Sequence, residues 1–516
     1  MPDQEDAVPN DSLSADDRDR DDRDRDDLPD DGLDGVDDPF DGGSDDDFRV
    51  DNLRVDDSDR DDLKPVDEDA DEYRELADEV YEELLQRLGE GSPQPRLEPV
   101  RRVVELLGDP HRAYPIVHIT GTNGKTSTSR MIESLLRAHE LSTGLLTSPH
   151  LARFSERILI NGEPISDERL VANWRDIEPY IAMIDAGLEE ADEPAITYFE
   201  AIVILAFASF ADAPVDVAVI EVGMGGEWDA TNVADGQVAV FAPIALDHEK
   251  RLGATVAEIA RTKSGIIKPL ASVVSAAQDP SALAELERAV VLSEAHLAVE
   301  GIDFGVDSTV AVGGQLLTIR GRAGTYSDVF LPLYGAHQAH NAALAVAAVE
   351  SFLGDAGTAL APELVVEGLG AATSPGRLQL VGVEPSVLVD AAHNPHGAVS
   401  LAEALQSYFT FDRITAVVGI LEDKDADGMI RAMAPIVDRF IVTTAPSDRT
   451  TDAETLADLV IDIVGEERVS VEPYVRDALL AARESAKESA NGAVVVFGSI
   501  TLVGQAMEIA AAESWK

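Results

Sequence analysis

One stretch constrains the fold more than any other: "YPIVHIT" (114–120), then "GTNG" (121–124), then "KTSTSRMIESLLRAHE" (125–140). The first run reads as a buried strand and the last as a helix, with the glycines as the turn between them. A strand that ends at Thr120 and opens a helix at Lys125 presents backbone N–H groups and a helix N-terminus to an anion. Gly121 and Gly124 can adopt positive φ and let a phosphate approach the backbone. Lys125 adds a point charge, and the hydroxyl of Thr126 suits a magnesium ion. Residues Gly121, Thr122, Asn123, Gly124, Lys125, Thr126 and Ser127 are therefore the candidate nucleotide loop. The pattern departs from the common G-x-x-x-x-G-K-[ST], because Ile119 stands where the first glycine belongs. The bland alternative is a capped helix after a chance glycine turn.

Further strand-like runs follow, with helices between them: "TGLLTS", "VDVAVIEVG", "VAVFAPIA" and "ASVVSAA". Such alternation predicts an α/β sheet, mostly parallel. Residues 297–333 differ, with short alternating runs and glycine turns that predict a β-hairpin insert. Pro375 and Gly376 look like a hinge, after which the alternation restarts in "SVLVDAAHN", "ITAVVGI", "RFIVTTAP" and "GAVVVFGSI". The expected division is an acidic tail over 1–72, a central domain over 73–374 and a smaller α/β domain over 375–516.

Residues 1–72 hold 32 acidic and 8 basic residues, and low complexity there predicts disorder. The whole chain carries −58, so some −34 remains on the globular part. That charge disfavours nucleic acid and anionic membranes as partners, and resembles proteins of salt-loving organisms. There are no cysteines, which excludes disulfides and thiolate metal sites. The N-terminus has no secretory pattern. The most apolar run, "ITYFEAIVILAFASFADA" (196–213), contains Glu200 and reads as a buried helix. The expected location is the cytoplasm.

The shortened loop "GTNGKTS" resembles the ATP loop of the Mur ligase superfamily, and further segments resemble its folylpolyglutamate/dihydrofolate synthase branch. In order they are "GLLTSPHLARFSERILING", "ITYFEA", "VIEVGMGGEWDATN", "IALDHEKRLGATVAEIARTKSGIIK", "GAHQAHNAALA", "SPGRLQ", "DAAHNPHG", "GILEDKD" and "GSITLVG". The likeness runs from about Tyr73 to the C-terminus. It implies a Mur-ligase-type P-loop ATPase domain with a mostly parallel sheet, plus a smaller Rossmann-like α/β domain. It also implies a monomeric ligase that uses ATP to turn a carboxylate into an acyl phosphate, which the amine of L-glutamate attacks.

The resemblance also assigns roles. Lys125, Glu221, His248 and Lys263 would serve catalysis, with Thr126, Ser148, Glu221 and His248 holding two Mg2+ ions and K+ as a further ion. Lys263 would be carbamylated, although Thr262 and Ser264 replace the family's Glu and Ala beside it. Asn341 would read adenine, Arg377 would reach the phosphates, and Asp390 and His393 would contact ribose and adjacent groups. Thr197, Phe199 and Asp229 fall where bacterial relatives bind dihydropteroate. Glu227 and Trp228 replace the family's Arg and Leu there, which leaves open whether dihydropteroate, a folate or both are acceptors. Two other readings stand beside this one: a Mur-type ligase with a different acceptor, and a P-loop kinase or NTPase.

Overall fold

The computed structural model describes residues 68–354 and 357–515; the tail expected to be disordered lies, up to residue 67, outside the described residues. The first helix, Glu68–Leu85, starts five residues earlier than the tail boundary expected at Tyr73. Asp71 and Glu72, early in this helix, suit its positive end, so acidity there marks a helix start.

The central sheet is built from β1 (Ile116–Thr120), β2 (Thr143–Leu146), β3 (Ile158–Ile160), β4 (Glu163–Pro164), β5 (Val217–Glu221), β6 (Val238–Phe241), β7 (Ser272–Ser275) and β8 (His296–Val299). Their order is β4-β3-β2-β5-β1-β6-β7-β8, parallel from β2 to β8 and antiparallel at the β3–β4 edge. β1 is buried along its whole length. Val117 and Ile119 pack under helices Lys125–Ala138 and Ala336–Leu353, while Ile116 joins the opposite core with helices Asp167–Glu190 and Tyr198–Asp212. Burial on both faces is why this strand reads as an apolar run. Helix Tyr198–Asp212 is buried on nearly every side, as its sequence suggested, and Thr197 and Glu200 close its N-terminus in a reciprocal capping box.

The insert is a three-stranded antiparallel meander, β9 (Gly305–Ala311), β10 (Gly314–Arg320) and β11 (Thr325–Leu331). Two strands were expected from residue 297 onward. Residues 297–299 instead extend the central sheet as β8, parallel to β7.

The second sheet comprises β12 (Gln379–Val383), β13 (Ser386–Val389), β14 (Arg413–Val418), β15 (Arg439–Val442), β16 (Val469–Val471) and β17 (Gly492–Phe497), in the order β12-β13-β17-β14-β15-β16. The four strands expected from sequence form its middle. β12 and β16 lie at the edges, half-exposed, where the apolar pattern is weakest. No described helix is long and apolar enough to cross a membrane.

Candidate active site

The carboxyl ends of both sheets open onto one cleft of about 700 Å3. Segments after β1, β2, β5 and β6 line it from the central sheet, and segments after β13, β14 and β17 from the other. Open α/β sheets bind ligands at such strand ends. Every site residue singled out from the sequence lies on the cleft wall.

The loop after β1 has the expected backbone. Gly124 has φ +86°, and a Cβ there would fall 2.7 Å from Asn341 Oδ1; one at Gly121 would meet the Cβ of Ala242 at the same distance. Neither position admits a side chain. Lys125 Nζ donates to the carbonyls of Gly121 (3.2 Å) and Thr122 (3.4 Å), folded back over its own loop. The Thr122 hydroxyl ties the loop to Ala245 after β6. Ser127 Oγ lies 2.9 Å from Ser374 Oγ and accepts from Gln338, so it braces the helix that carries the loop.

Glu221 ends β5 and is 1% exposed. Its Oε1 accepts from Thr126 Oγ1 at 3.0 Å, and its Oε2 has no hydrogen-bond partner. Burial raises its pKa to about 7 against the opposing charge of Lys125. A buried carboxylate oxygen without a donor, beside the Thr126 hydroxyl, fits a hard divalent cation. Among the described residues no three His, Asp or Glu side chains form a ready-made cage. Mg2+ suits that arrangement, since it takes one or two carboxylates and fills its shell with water and phosphate.

Lys263 is 4% exposed, and its Nζ donates to Gly121 O at 2.7 Å. Burial, then the charge of Lys125, lowers its pKa to about 7. A surface helix lysine would show neither feature. His248 caps helix Glu249–Leu252 in left-handed backbone (φ +51°). Burial and Lys424 lower its pKa to about 4, leaving the neutral imidazole that ligates metals.

Across the cleft, Asp390 at the end of β13 accepts from the amides of Leu378 and Ala392, both at 2.8 Å. It thus ties Leu378, next to Arg377, to the loop that follows β13. His393 reaches toward Asp247, 3.8 Å away. Four residues here were missed from the sequence. Asp247 and Lys424 pair at 3.0 Å between the two sheets, and both side chains are largely buried. Burial would raise the Asp247 carboxyl, yet the neighbouring His393 and the Lys424 charge hold it far below the usual range. Asn394 donates to Asn123 Oδ1 at 3.0 Å, and His396 Nδ1 lies 2.9 Å from Asn123 Nδ2. All four sit inside "IALDHEK", "GILEDKD" and "DAAHNPHG", segments read for other residues.

Two of the three acceptor-side residues have local structural work. The Thr197 hydroxyl caps its helix, and Asp229 holds the amides of Met224 and Thr231 together with the Thr231 hydroxyl. The Phe199 ring lies directly over Gly223. Trp228 also lines this end of the cleft.

Comparison with known proteins agrees with this architecture. Residues 119–349 match the Mur ligase middle domain, and residues 376–500 match the Mur ligase glutamate ligase domain. A dihydrofolate synthase/folylpolyglutamate synthase of Mycobacterium tuberculosis is 43% identical over 445 residues, covering 82% of this chain and 91% of the relative. The M. tuberculosis folylpolyglutamate synthase solved with ADP superposes with a TM-score of 0.81 at 42% identity, over 85% of this chain and 99% of that one. An Escherichia coli structure in complex with DHPP and ADP gives 0.73 at 30% identity, over 85% and 98%. The chain belongs to the Mur ligase family, within its folylpolyglutamate/dihydrofolate synthase branch.

Proposed function

We propose that this chain is an ATP-dependent ligase that joins L-glutamate to the carboxylate of a folate or of dihydropteroate. One observation carries the reading: a phosphate loop, a buried carboxylate with a free oxygen and a buried lysine share one cleft with the strand ends of a glutamate ligase domain. The acceptor carboxylate attacks the γ-phosphorus and ADP leaves, giving an acyl phosphate. The glutamate amine attacks the acyl carbon, inorganic phosphate departs, and the amine sheds its protons. Charge develops on phosphoryl oxygens, so positioned cations and N–H groups dominate the rate.

Lys125 and the N–H groups of residues 121–127 would hold the β- and γ-phosphates. Thr126, Ser148 and Glu221 would hold Mg2+, with His248 serving a second ion. The metal supplies charge neutralisation on the phosphoryl oxygens. Lys263 would carry a carbamate. Its pKa of about 7 supports this, because only the neutral amine adds CO2. Arg377 would reach the phosphates once nucleotide is bound. Asp390 acts through the loop it fixes, and His393 through Asp247. The family likeness suggests a monomer, and the acidic composition suits a salt-rich cytoplasm.

The test is glutamate incorporation from Mg-ATP in high potassium, offering dihydropteroate and tetrahydrofolate in parallel. Incorporation with either supports the reading, and the ratio shows how Glu227 and Trp228 bias the acceptor. ATP turnover that ignores glutamate and both acceptors would overturn it.

A further inference from the structure

Helix Ala336–Leu353 begins at the cleft, and His337, His340 and Asn341 line it from one helical face, three and four residues apart. Asn341 abuts Gly124 of the phosphate loop. His340, the preceding residue on this helix, lines the same cleft and meets Ala277 at the end of β7 through Glu300. Its Nδ1 lies 2.5 Å from Oε1 of Glu300, and the other carboxylate oxygen of Glu300 accepts from the Ala277 amide at 3.2 Å. The Glu300 side chain is 7% exposed and that of His340 is 56% exposed. One edge of the imidazole is thus fixed by a buried carboxylate and the other is open to the cleft. Nothing in the phosphate or acyl chemistry uses this pair.

We infer that His340, held by Glu300, contacts the purine base of the nucleotide and selects a 6-amino over a 6-oxo purine. The inference rests on the reading that this cleft binds ATP. With Nδ1–H directed at Glu300, the neutral ring offers Nε2 as an acceptor. That matches the 6-amino donor of ATP and opposes the 6-oxo acceptor of ITP, which is otherwise nearly the same shape. A site that must leave a polar group unpaired rejects the wrong ligand strongly. Small Ala276 and Ala277 leave room for a flat ring beside the imidazole. Glu300 acts as a positioning residue, because its two oxygens are taken by His340 and Ala277.

The titratable groups facing His340 are Glu300 and, on its own helix, His337, whose pKa burial lowers to about 4. The Glu300 hydrogen bond raises the His340 pKa. Below that pKa, Nε2 carries a proton and becomes a donor, so preference for ATP over ITP grows as pH rises through it.

The experiment measures KM for ATP and ITP across pH 5.5–9 in the full chain, with His340→Ala and Glu300→Gln as variants and ADP binding by calorimetry alongside. The expected His340→Ala result is a KM for ATP raised about fivefold, kcat at saturation within twofold, and an ATP/ITP ratio that no longer varies with pH. Glu300→Gln should keep the pH-dependent ratio but move its midpoint to lower pH, which a purely structural role would not do. An unchanged ATP/ITP ratio in His340→Ala, with ADP still binding the unsubstituted chain, overturns this inference alone. No ADP binding by the unsubstituted chain overturns the nucleotide reading itself, and this inference with it.

Discussion

The two walls of the cleft are built on different physical terms. On the central-sheet wall, ionisable groups are buried where their charged forms are disfavoured: Glu221 is raised to about 7 and Lys263 lowered to about 7. On the C-terminal wall the polar groups are hydrogen-bonded or ion-paired, and the Asp390 carboxyl, although also raised by burial, keeps two amide donors. Asn394 is held by Asn123 and Gly397, and Lys424 by Asp247. Unsatisfied buried charge is costly and is kept where a ligand will meet it. The contrast assigns chemistry to one wall and closure to the other.

The largest test of that contrast is Glu221→Gln. It should lower ligation by about 10³-fold, the scale of losing a principal electrostatic stabiliser. The same substitution should stabilise the ligand-free chain. A carboxyl raised from 4.5 to about 7 binds protons more tightly when folded, so stability falls as pH rises from 4.5 to 7. Removing that slope should raise Tm above pH 7. An unchanged rate, or a lowered Tm there, would break the assignment.

Lys263→Met comes next, with about 10²-fold loss of ligation and near-normal ADP binding by calorimetry. Its folded pKa of about 7, against 10.5 unfolded, makes stability rise between pH 7 and 10.5. The variant should lose that rise. Together the two groups make the empty site least stable near neutral pH, where bound ligands offset it. Full ligation by Lys263→Met would remove the carbamate.

The Asp247–Lys424 pair is the link between the walls. Asp247→Asn and Lys424→Met should each lower kcat/KM about tenfold, and the double variant should be little worse than either. A double-mutant cycle then returns coupling of about 1.4 kcal/mol, since each tenfold loss is worth that much. Additive losses would mean that the ion pair does not join the two halves.

The sequence revealed these walls unequally. The runs "VAVIE" and "SVLVD" announced a strand with a carboxylate at its end, but the roles of Glu221 and Asp390 came from the resemblance. Lys263 was legible only by resemblance, since nothing in "ARTKSG" signals that its amine is buried against Gly121. Contacts between the sheets were illegible. Asp247 and Lys424 are 177 residues apart, and no periodicity links residues on different sheets. Edge strands β12 and β16 failed for the related reason that a half-exposed run carries little apolar pattern.

The smallest expected effect is the most specific to closure. Asn394 does two jobs: its Oδ1 accepts from the Gly397 amide at 2.8 Å, capping helix Pro395–Tyr408, and its Nδ2 donates to Asn123 on the phosphate loop. Asn394→Ser separates them, because serine caps about as well as asparagine but is too short to reach Asn123. The expected result is an unchanged Tm with KM for ATP raised about two- to fivefold, the worth of one hydrogen bond. Asn394→Ala should show the same KM and lose about 1 kcal/mol of stability as well. If serine restored the KM, the C-terminal wall would act on the phosphate loop only through its own folding, and the division between chemistry and closure would need another contact to carry it.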